Sequence, residues 1–213
     1  MARHISNWKC KFLSKTFTFL GKILEYSASE YNLTYSNERT IEVPIVWDYM
    51  QEYKKLGKNI LEIGNVLSHY YVVNHDIVDK DEKASGIINQ DIIDYKSDKK
   101  YDLIISISTM EHVGHFEVPD SWVQPQKVLV ALQNLKSLLA PDGQIIITFG
   151  MGYNYLLDAH VKLGNIKFDK MVCMKRISQS NEWKEVDFSE IKNDEYGKPF
   201  NASNNVVVGF LKK

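Results

Sequence analysis

The chain has 213 residues, with 26 Lys and Arg against 27 Asp and Glu and a formal net charge of -1. It therefore carries no overall basic field of the kind that draws nucleic acid, and no specific nucleic-acid partner is expected. Its apolar share of 44% and charged share of 25% are ordinary for one globular domain with an added segment. The two cysteines, Cys10 and Cys173, lie far apart in no Cys-x-x-Cys pair, which argues against a disulfide scaffold or zinc knuckle and fits a reducing, cytoplasmic setting. No uninterrupted apolar run approaches the roughly 20 residues that span a bilayer.

The N-terminus is basic, with Arg3, Lys9, Lys11, Lys15 and Lys22. Between these, Phe12, Leu13, Thr16, Phe17, Leu20, Ile23 and Leu24 recur at helix-like spacing. The pattern predicts an amphipathic helical segment over residues 1–34, followed by the main domain over residues 35–213. Such a helix could rest on its own domain, on a membrane surface or on a partner. Lys15 and Lys22 break the apolar stretch, against a secretory signal.

Asn37 is a candidate cap for a short helix, and Pro44 suits the first position of a second one. That second helix carries Ile45, Val46, Tyr49, Met50 and Tyr53 and stops at Gly57. Asn59 to Ser68 then reads as a buried strand, Ile60-Leu61-Glu62-Ile63, ending at a glycine turn, Gly64. A second strand is expected between Tyr71 and Asp79, with Asp76 and Asp79 near its end, and a third from Ile87 to Ile93. Because Glu62 and Asp79 are close in sequence, the first crossover helix must be small. Tyr101 to Ser108 is the clearest buried strand, followed by Met110-Glu111-His112-Val113.

A helix follows over about Gln126 to Leu139, then a Pro141-Asp142-Gly143 turn and the buried strand Gln144 to Phe149. Met171 to Met174, Trp183 to Val186 and Asn205 to Leu211 look like strands of an antiparallel edge. Repeated strand–helix order implies a doubly wound α/β fold with a mostly parallel sheet, helices on both faces and an antiparallel C-terminal edge hairpin. Strand ends in such a sheet converge on one crevice. Here they bring together Glu62, Gly64, Asp79, Asp91 and the Ser108–His112 stretch.

An acid after the second strand can accept ribose hydroxyls, and one after the third can accept from an adenine amino group. Positions 64–69 read Gly-Asn-Val-Leu-Ser-His, without the further glycines that a dinucleotide pyrophosphate needs. A nicotinamide-dependent oxidoreductase is therefore disfavoured, and a phosphate-free adenosyl ligand is favoured.

These pieces resemble the Rossmann-like, class I S-adenosyl-L-methionine-dependent methyltransferases. They are Ile60-Leu61-Glu62-Ile63-Gly64, Asp79, Asn89-Gln90-Asp91-Ile92, Tyr101 to Ser106, Glu111-His112-Val113, and Leu138-Leu139-Ala140-Pro141-Asp142-Gly143-Gln144. The resemblance spans residues 35–213 and departs from the family in its glycine-poor first loop. It implies a seven-stranded sheet and S-adenosyl-L-methionine as cofactor. The cofactor residues would be Glu62, Gly64, Asn65, Ser68, Asp79, Asp91, Ile92 and Ser108, with Asp76 competing for the ribose. His112 and His115 are the candidate catalytic bases, since histidine titrates near neutrality. Glu111, Arg39, Tyr153 and His160 are candidates for holding the acceptor. The acceptor expected from the resemblance is a small molecule or a sugar, methylated at oxygen. A methyltransferase-like module that binds a partner without catalysis is the alternative. No metal ligand set is recognisable: His112 and His115 have only Glu111 nearby.

Overall fold

The computed structural model describes residues 16–115 and 126–213. Thr16–Phe19 (β1) and Lys22–Glu25 (β2) pair as an antiparallel hairpin, not as the expected helix. The Thr-Phe-Thr-Phe run alternates, so Phe17 and Phe19 are buried while Thr16 and Thr18 face out. Period two with β-branched and aromatic residues decides for a strand over the looser helical spacing. Leu20 (φ 50) and Gly21 (φ 76) make the two-residue turn, the left-handed pair that suits a tight hairpin. The remainder of the expected basic helix, residues 1–15, lies outside the described residues. Phe17 and Phe19 belong to the same buried cluster as Ile41, Val46 and Trp183.

The two helical runs expected around Pro44 form one helix, α1, Arg39–Lys55. Pro44 has no N–H, which leaves the Thr40 carbonyl without its helical donor. The Ser27 N–H donates to that carbonyl instead, at 2.9 Å. Thr40 Oγ1 in return donates to the Ser27 carbonyl at 2.8 Å. The bend after the hairpin thus supplies what the proline removes.

Strands Ile60–Ile63 (β3), Asp76–Val78 (β4), Ile87–Ile88 (β5) and Tyr101–Ile107 (β6) follow, then helix Lys127–Leu138 (α2) and strand Leu139–Phe149 (β7). Helix Tyr155–Lys162 (α3) leads to Lys170–Arg176 (β8), Trp183–Val186 (β9) and Asn205–Lys212 (β10). The sheet order is β5-β4-β3-β6-β7-β10-β8-β9. Strands β5 to β7 are parallel, while β10 runs antiparallel between β7 and β8. The sheet has eight strands, one more than the seven expected, because β9 adds an antiparallel edge to β8. The expected C-terminal hairpin is β8–β9, and β10 returns inside it.

The second and third strands are shorter than expected. Hydrogen-bonded pairing begins only at Asp76 and ends at Ile88, and Val72 is 94% exposed. Instead of a first crossover helix the chain makes one 3-10 turn, Leu67–His69, as the short interval required. The Pro141-Asp142-Gly143 turn is absorbed into β7 as an irregularity, where the pairing with β6 shifts register. A Cβ at Gly143 would lie 2.7 Å from the Tyr101 carbonyl, so glycine permits the close approach. Helices α2 and α3 cover one face through Leu132, Leu135, Leu157 and Val161. The other face holds α1 and the hairpin, through Ile41, Ile45, Met50 and Phe17. Among the described residues no helix is long and apolar enough to cross a membrane.

Candidate active site

The strand order reverses between β3 and β6, and the crevice expected at such a switch point is present. A cavity of about 510 Å³ opens at the carboxyl ends of the parallel strands, within the range typical of small-molecule sites. Ile63 and Gly64 line it from β3, and Asp79, Lys80, Asp81 and Glu82 from the loop after β4. Gln90, Asp91 and Ile92 close the third side, and Thr109, His112 and Val113 the fourth. Four carboxylates against one lysine make this described lining acidic, which opposes a phosphate ligand.

Gly64 has φ +80 and hydrogen-bonds from its N–H to the Val78 carbonyl at 2.9 Å. Left-handed backbone suits glycine alone without cost. A carboxylate at Asp79 sits beside it. Its Oδ2 accepts from the Asn65 N–H at 3.0 Å, and its Oδ1 from the Asp81 and Glu82 N–H groups at 2.8 and 2.7 Å. Partial burial acts to raise its pKa, but the three N–H bonds outweigh it and hold the group below the usual carboxylate range. Asp76, the rival for the ribose, is tied to Lys99 and Tyr101 at the other end of β4. It does not reach the cavity. Asp91 accepts from the Ile93 N–H at 3.2 Å and pairs with Lys127 at 3.2 Å. The Ile92 carbonyl accepts from Asn134 Nδ2 at 2.6 Å, which anchors this loop to α2.

Four expected cofactor residues do not line the cavity. Glu62 is fully buried and its carboxylate is consumed inside the protein. Its Oε1 accepts from the Val66 and Leu67 N–H groups at 2.9 and 2.8 Å, and its Oε2 lies 2.6 Å from His75 Nε2. It therefore shapes the turn after β3 in place of the missing helix. Asn65 and Ser68 bond to each other and face away, toward a second hollow behind β4. Ser108 turns its hydroxyl to Glu42 on α1, at 2.7 Å.

Beyond β6 lies a second polar group of residues. Arg39 Nη1 pairs with Glu42 Oε2 at 2.9 Å, and Ser108 binds the other Glu42 oxygen. Glu38 accepts from the Ser203 N–H at 3.1 Å. Glu111 is 7% exposed, and its Oε2 finds no hydrogen-bond partner among the described residues. Burial, then the Glu42 and Glu38 charges, push its pKa well up despite Arg39. Arg39 and Glu111 are thus brought together, but below the cavity wall rather than on it.

His112 does line the cavity, and Tyr153 Oη stands 3.4 Å from its Nδ1. Burial, then the Arg39 and His115 charges, lower the His112 pKa. Tyr153 is packed among His112, His115 and Tyr196, with ring centres 5.1, 5.4 and 5.1 Å away. His115 touches Tyr153 and Tyr155 but does not line the cavity. His160, expected at the acceptor, does not line the cavity. It lies 7% exposed on α3, with Nδ1 3.1 Å from Asn165 Nδ2, and helps close the end of that helix.

Helix α3 itself was missed from the sequence. Its signal was Asn154 before the apolar spacing of Leu157 and Val161. Asn154 Oδ1 accepts from the Leu156 and Leu157 N–H groups, and its Nδ2 donates to the Glu111 carbonyl at 2.8 Å. Thr109, Asp81, Glu82 and Gln90 were also missed as lining residues; only their place after strand ends hinted at it. Among the described residues, no cluster of three or more His, Cys, Asp or Glu is arranged to hold a metal ion.

No protein-family model matches the chain, and no curated protein matches it in sequence. Solved structures do resemble it in fold. One is the N-methyltransferase NodS from Bradyrhizobium japonicum in complex with S-adenosyl-L-homocysteine. That likeness has 11% identity and a TM-score of 0.44, and covers 83% of this chain and 91% of that one. A second is a SAM-dependent methyltransferase from Thermotoga maritima, a possible histamine N-methyltransferase. Here identity is 12% and the TM-score 0.43, over 79% of this chain and 96% of that one. A third is TehB from Haemophilus influenzae, at 10% identity and a TM-score of 0.44, over 80% of this chain and 63% of that one. The strand order found here, parallel from β5 to β7 with β10 antiparallel between β7 and β8, is a Rossmann-like α/β arrangement.

Proposed function

We propose that the chain is an S-adenosyl-L-methionine-dependent methyltransferase that acts on a hydroxyl of a small molecule or a sugar. The observation that supports this most is the cavity at the strand switch. Bare glycine backbone at Gly64, an acid after the second strand and an acid after the third all meet there. The residues present fit the cofactor. Gly64 and Thr109 border the methionine part, Asp79 offers an acceptor to the ribose, and Asp91 with Ile92 faces the adenine side. The acidic lining suits a ligand that carries a sulfonium and no phosphate.

When bound, the cofactor supplies a methyl group already activated by its positive sulfur. The protein's part is alignment of the acceptor and handling of its proton. His112, at the cavity wall, takes the hydroxyl proton as a general base, and its lowered pKa keeps it neutral and able to accept near neutral pH. Tyr153 packs against that imidazole and holds its orientation. His115 and Glu111 support the same corner from behind. The two widely separated cysteines support a reducing, cytoplasmic setting for this chemistry.

A second reading, a binding module without turnover, is favoured by one observation. Asp79 already accepts three backbone hydrogen bonds, which leaves it little capacity for a ribose. Calorimetry with S-adenosyl-L-methionine and S-adenosyl-L-homocysteine tests both. Binding of both, weakened by Asp79→Ala with the fold kept, is the expected result. No heat at millimolar ligand would sink the methyltransferase reading, and binding without turnover on any hydroxylated acceptor would leave the module.

A further inference from the structure

Asn65 stands directly after the turn glycine, where the glycine-rich loops of adenosyl sites commonly continue. It is 7% exposed and does not line the cavity. Its backbone N–H donates to Asp79 Oδ2 at 3.0 Å. Its side-chain Nδ2 donates to Glu82 Oε1 at 2.8 Å, and its Oδ1 accepts from Ser68. Glu82 in turn gives its own N–H to Asp79 Oδ1 at 2.7 Å. One side-chain bond therefore locks together two of the three N–H donors that hold the Asp79 carboxylate.

A carboxylate has about four lone-pair directions. Oδ1 uses two of its pair on Asp81 and Glu82, and Oδ2 uses one on Asn65. Among the described residues a single direction stays open, on Oδ2, and Asp79 borders the cavity. We propose that Asn65 is a positioning residue for the adenosyl ligand: through Asp79 it fixes one open lone pair, which accepts one ribose hydroxyl rather than the vicinal pair. This rests on the methyltransferase reading of the site. It also explains how a loop with one glycine can serve. The side chain that follows the one glycine points away from the cavity and braces the acid instead.

The test compares S-adenosyl-L-homocysteine with its 2′-deoxy and 3′-deoxy analogues on the wild type, Asn65→Ala, Glu82→Ala and Glu82→Gln. A hydrogen bond to a charged acceptor corresponds to about a tenfold loss or more when its donor is removed. The wild type should lose about that factor for one of the two analogues. Asn65→Ala and Glu82→Ala should bind the parent ligand about tenfold more weakly and shrink the deoxy penalty to about threefold or less. Glu82→Gln, which keeps an acceptor for Asn65 Nδ2 but removes one cavity-lining carboxylate, should keep the wild-type deoxy penalty. Thermal melts of each variant establish that it is folded. Weaker binding with an undiminished deoxy penalty would make Asn65 merely structural and overturn the proposal, as would unchanged binding in Asn65→Ala. Absence of wild-type binding to the parent ligand is a different failure: it removes the methyltransferase reading itself.

Discussion

Thr109 lies so close to Gly64 that a Cβ built on the glycine would sit 2.1 Å from the threonine Oγ1. The loop after β6 thus closes directly over the turn after β3. Gly64→Ala is strained twice, once by φ +80 and once by this contact. Left-handed backbone and overpacking each cost on the order of 1–3 kcal/mol. The variant should be destabilised by about 2–4 kcal/mol in urea unfolding and should bind S-adenosyl-L-homocysteine poorly. Thr109→Ala removes the two nearest atoms and leaves only Cβ, at 3.0 Å. The double variant should therefore recover part of the stability. A Gly64→Ala protein as stable as the wild type would contradict the contact.

That contact shows what the sequence could and could not reveal. Ile60 to Gly64 and Tyr101 to Ser108 were readable as buried strands because both faces are apolar. The acids after the second and third strands, Asp79 and Asp91, were readable from their place alone, and both line the cavity. Residues 16–25 were misread because Phe17, Leu20 and Leu24 fit a helical stripe about as well as Phe17 and Phe19 fit an alternating one. The turn at Leu20-Gly21 decides between them. Glu62, Asn65, Ser68 and Ser108 follow or end the right strands, but side-chain direction is a tertiary property. The partners of Ser108 and of the Asn65 amide, Glu42 and Glu82, lie on other elements. Glu111 was expected at the acceptor, and only packing reveals that its carboxylate is buried.

His112 gives a pH dependence of defined sign. Its pKa lies below the usual histidine value, first through burial and then through the Arg39 and His115 charges. A general base must be unprotonated, so activity should rise with pH and level off. The acid limb of kcat/KM should have its midpoint below the usual value of about 6.5. His112→Gln should lower kcat by about 10²–10⁴-fold and erase that limb, while binding of S-adenosyl-L-homocysteine persists. An unchanged acid limb in His112→Gln would remove the residue from the base role.

Glu111 makes a separate prediction about stability. Its folded pKa is raised, first by burial and then by the Glu42 charge. Between the unfolded and the folded pKa the native state then holds more protons than the unfolded one. The stability this gives is fully present below about pH 4.3, the unfolded value, and is lost as pH rises through the folded pKa. Glu111→Gln has no proton to lose. Its Tm should fall less steeply than that of the wild type between pH 5 and pH 8, with Glu38 and Asp158, whose pKa values are raised in the same direction, contributing to the slope that remains. Parallel Tm profiles would show that Glu111 does not hold its proton in the folded protein.

Asn154 links the same corner to α3, and two substitutions separate its two duties. Its Oδ1 caps the helix by accepting from Leu156 and Leu157, while its Nδ2 donates to the Glu111 carbonyl at 2.8 Å. Loss of a cap costs about 1 kcal/mol, and a carbonyl left buried without its donor costs about 1–3 kcal/mol more. Asn154→Ala loses both and should lower Tm by about 4–16 °C, at roughly 2–4 °C per kcal/mol for a chain of this size. Asn154→Asp keeps the cap and favours the helix N-terminus, but brings a lone pair against the Glu111 carbonyl. If the strut matters for the site, Asn154→Asp should shift the turn that carries Glu111 and His112 and reduce kcat more than it reduces Tm. Wild-type behaviour of Asn154→Asp would mean that the cap alone carries the effect, and that His112 is held by Tyr153 without help from α3.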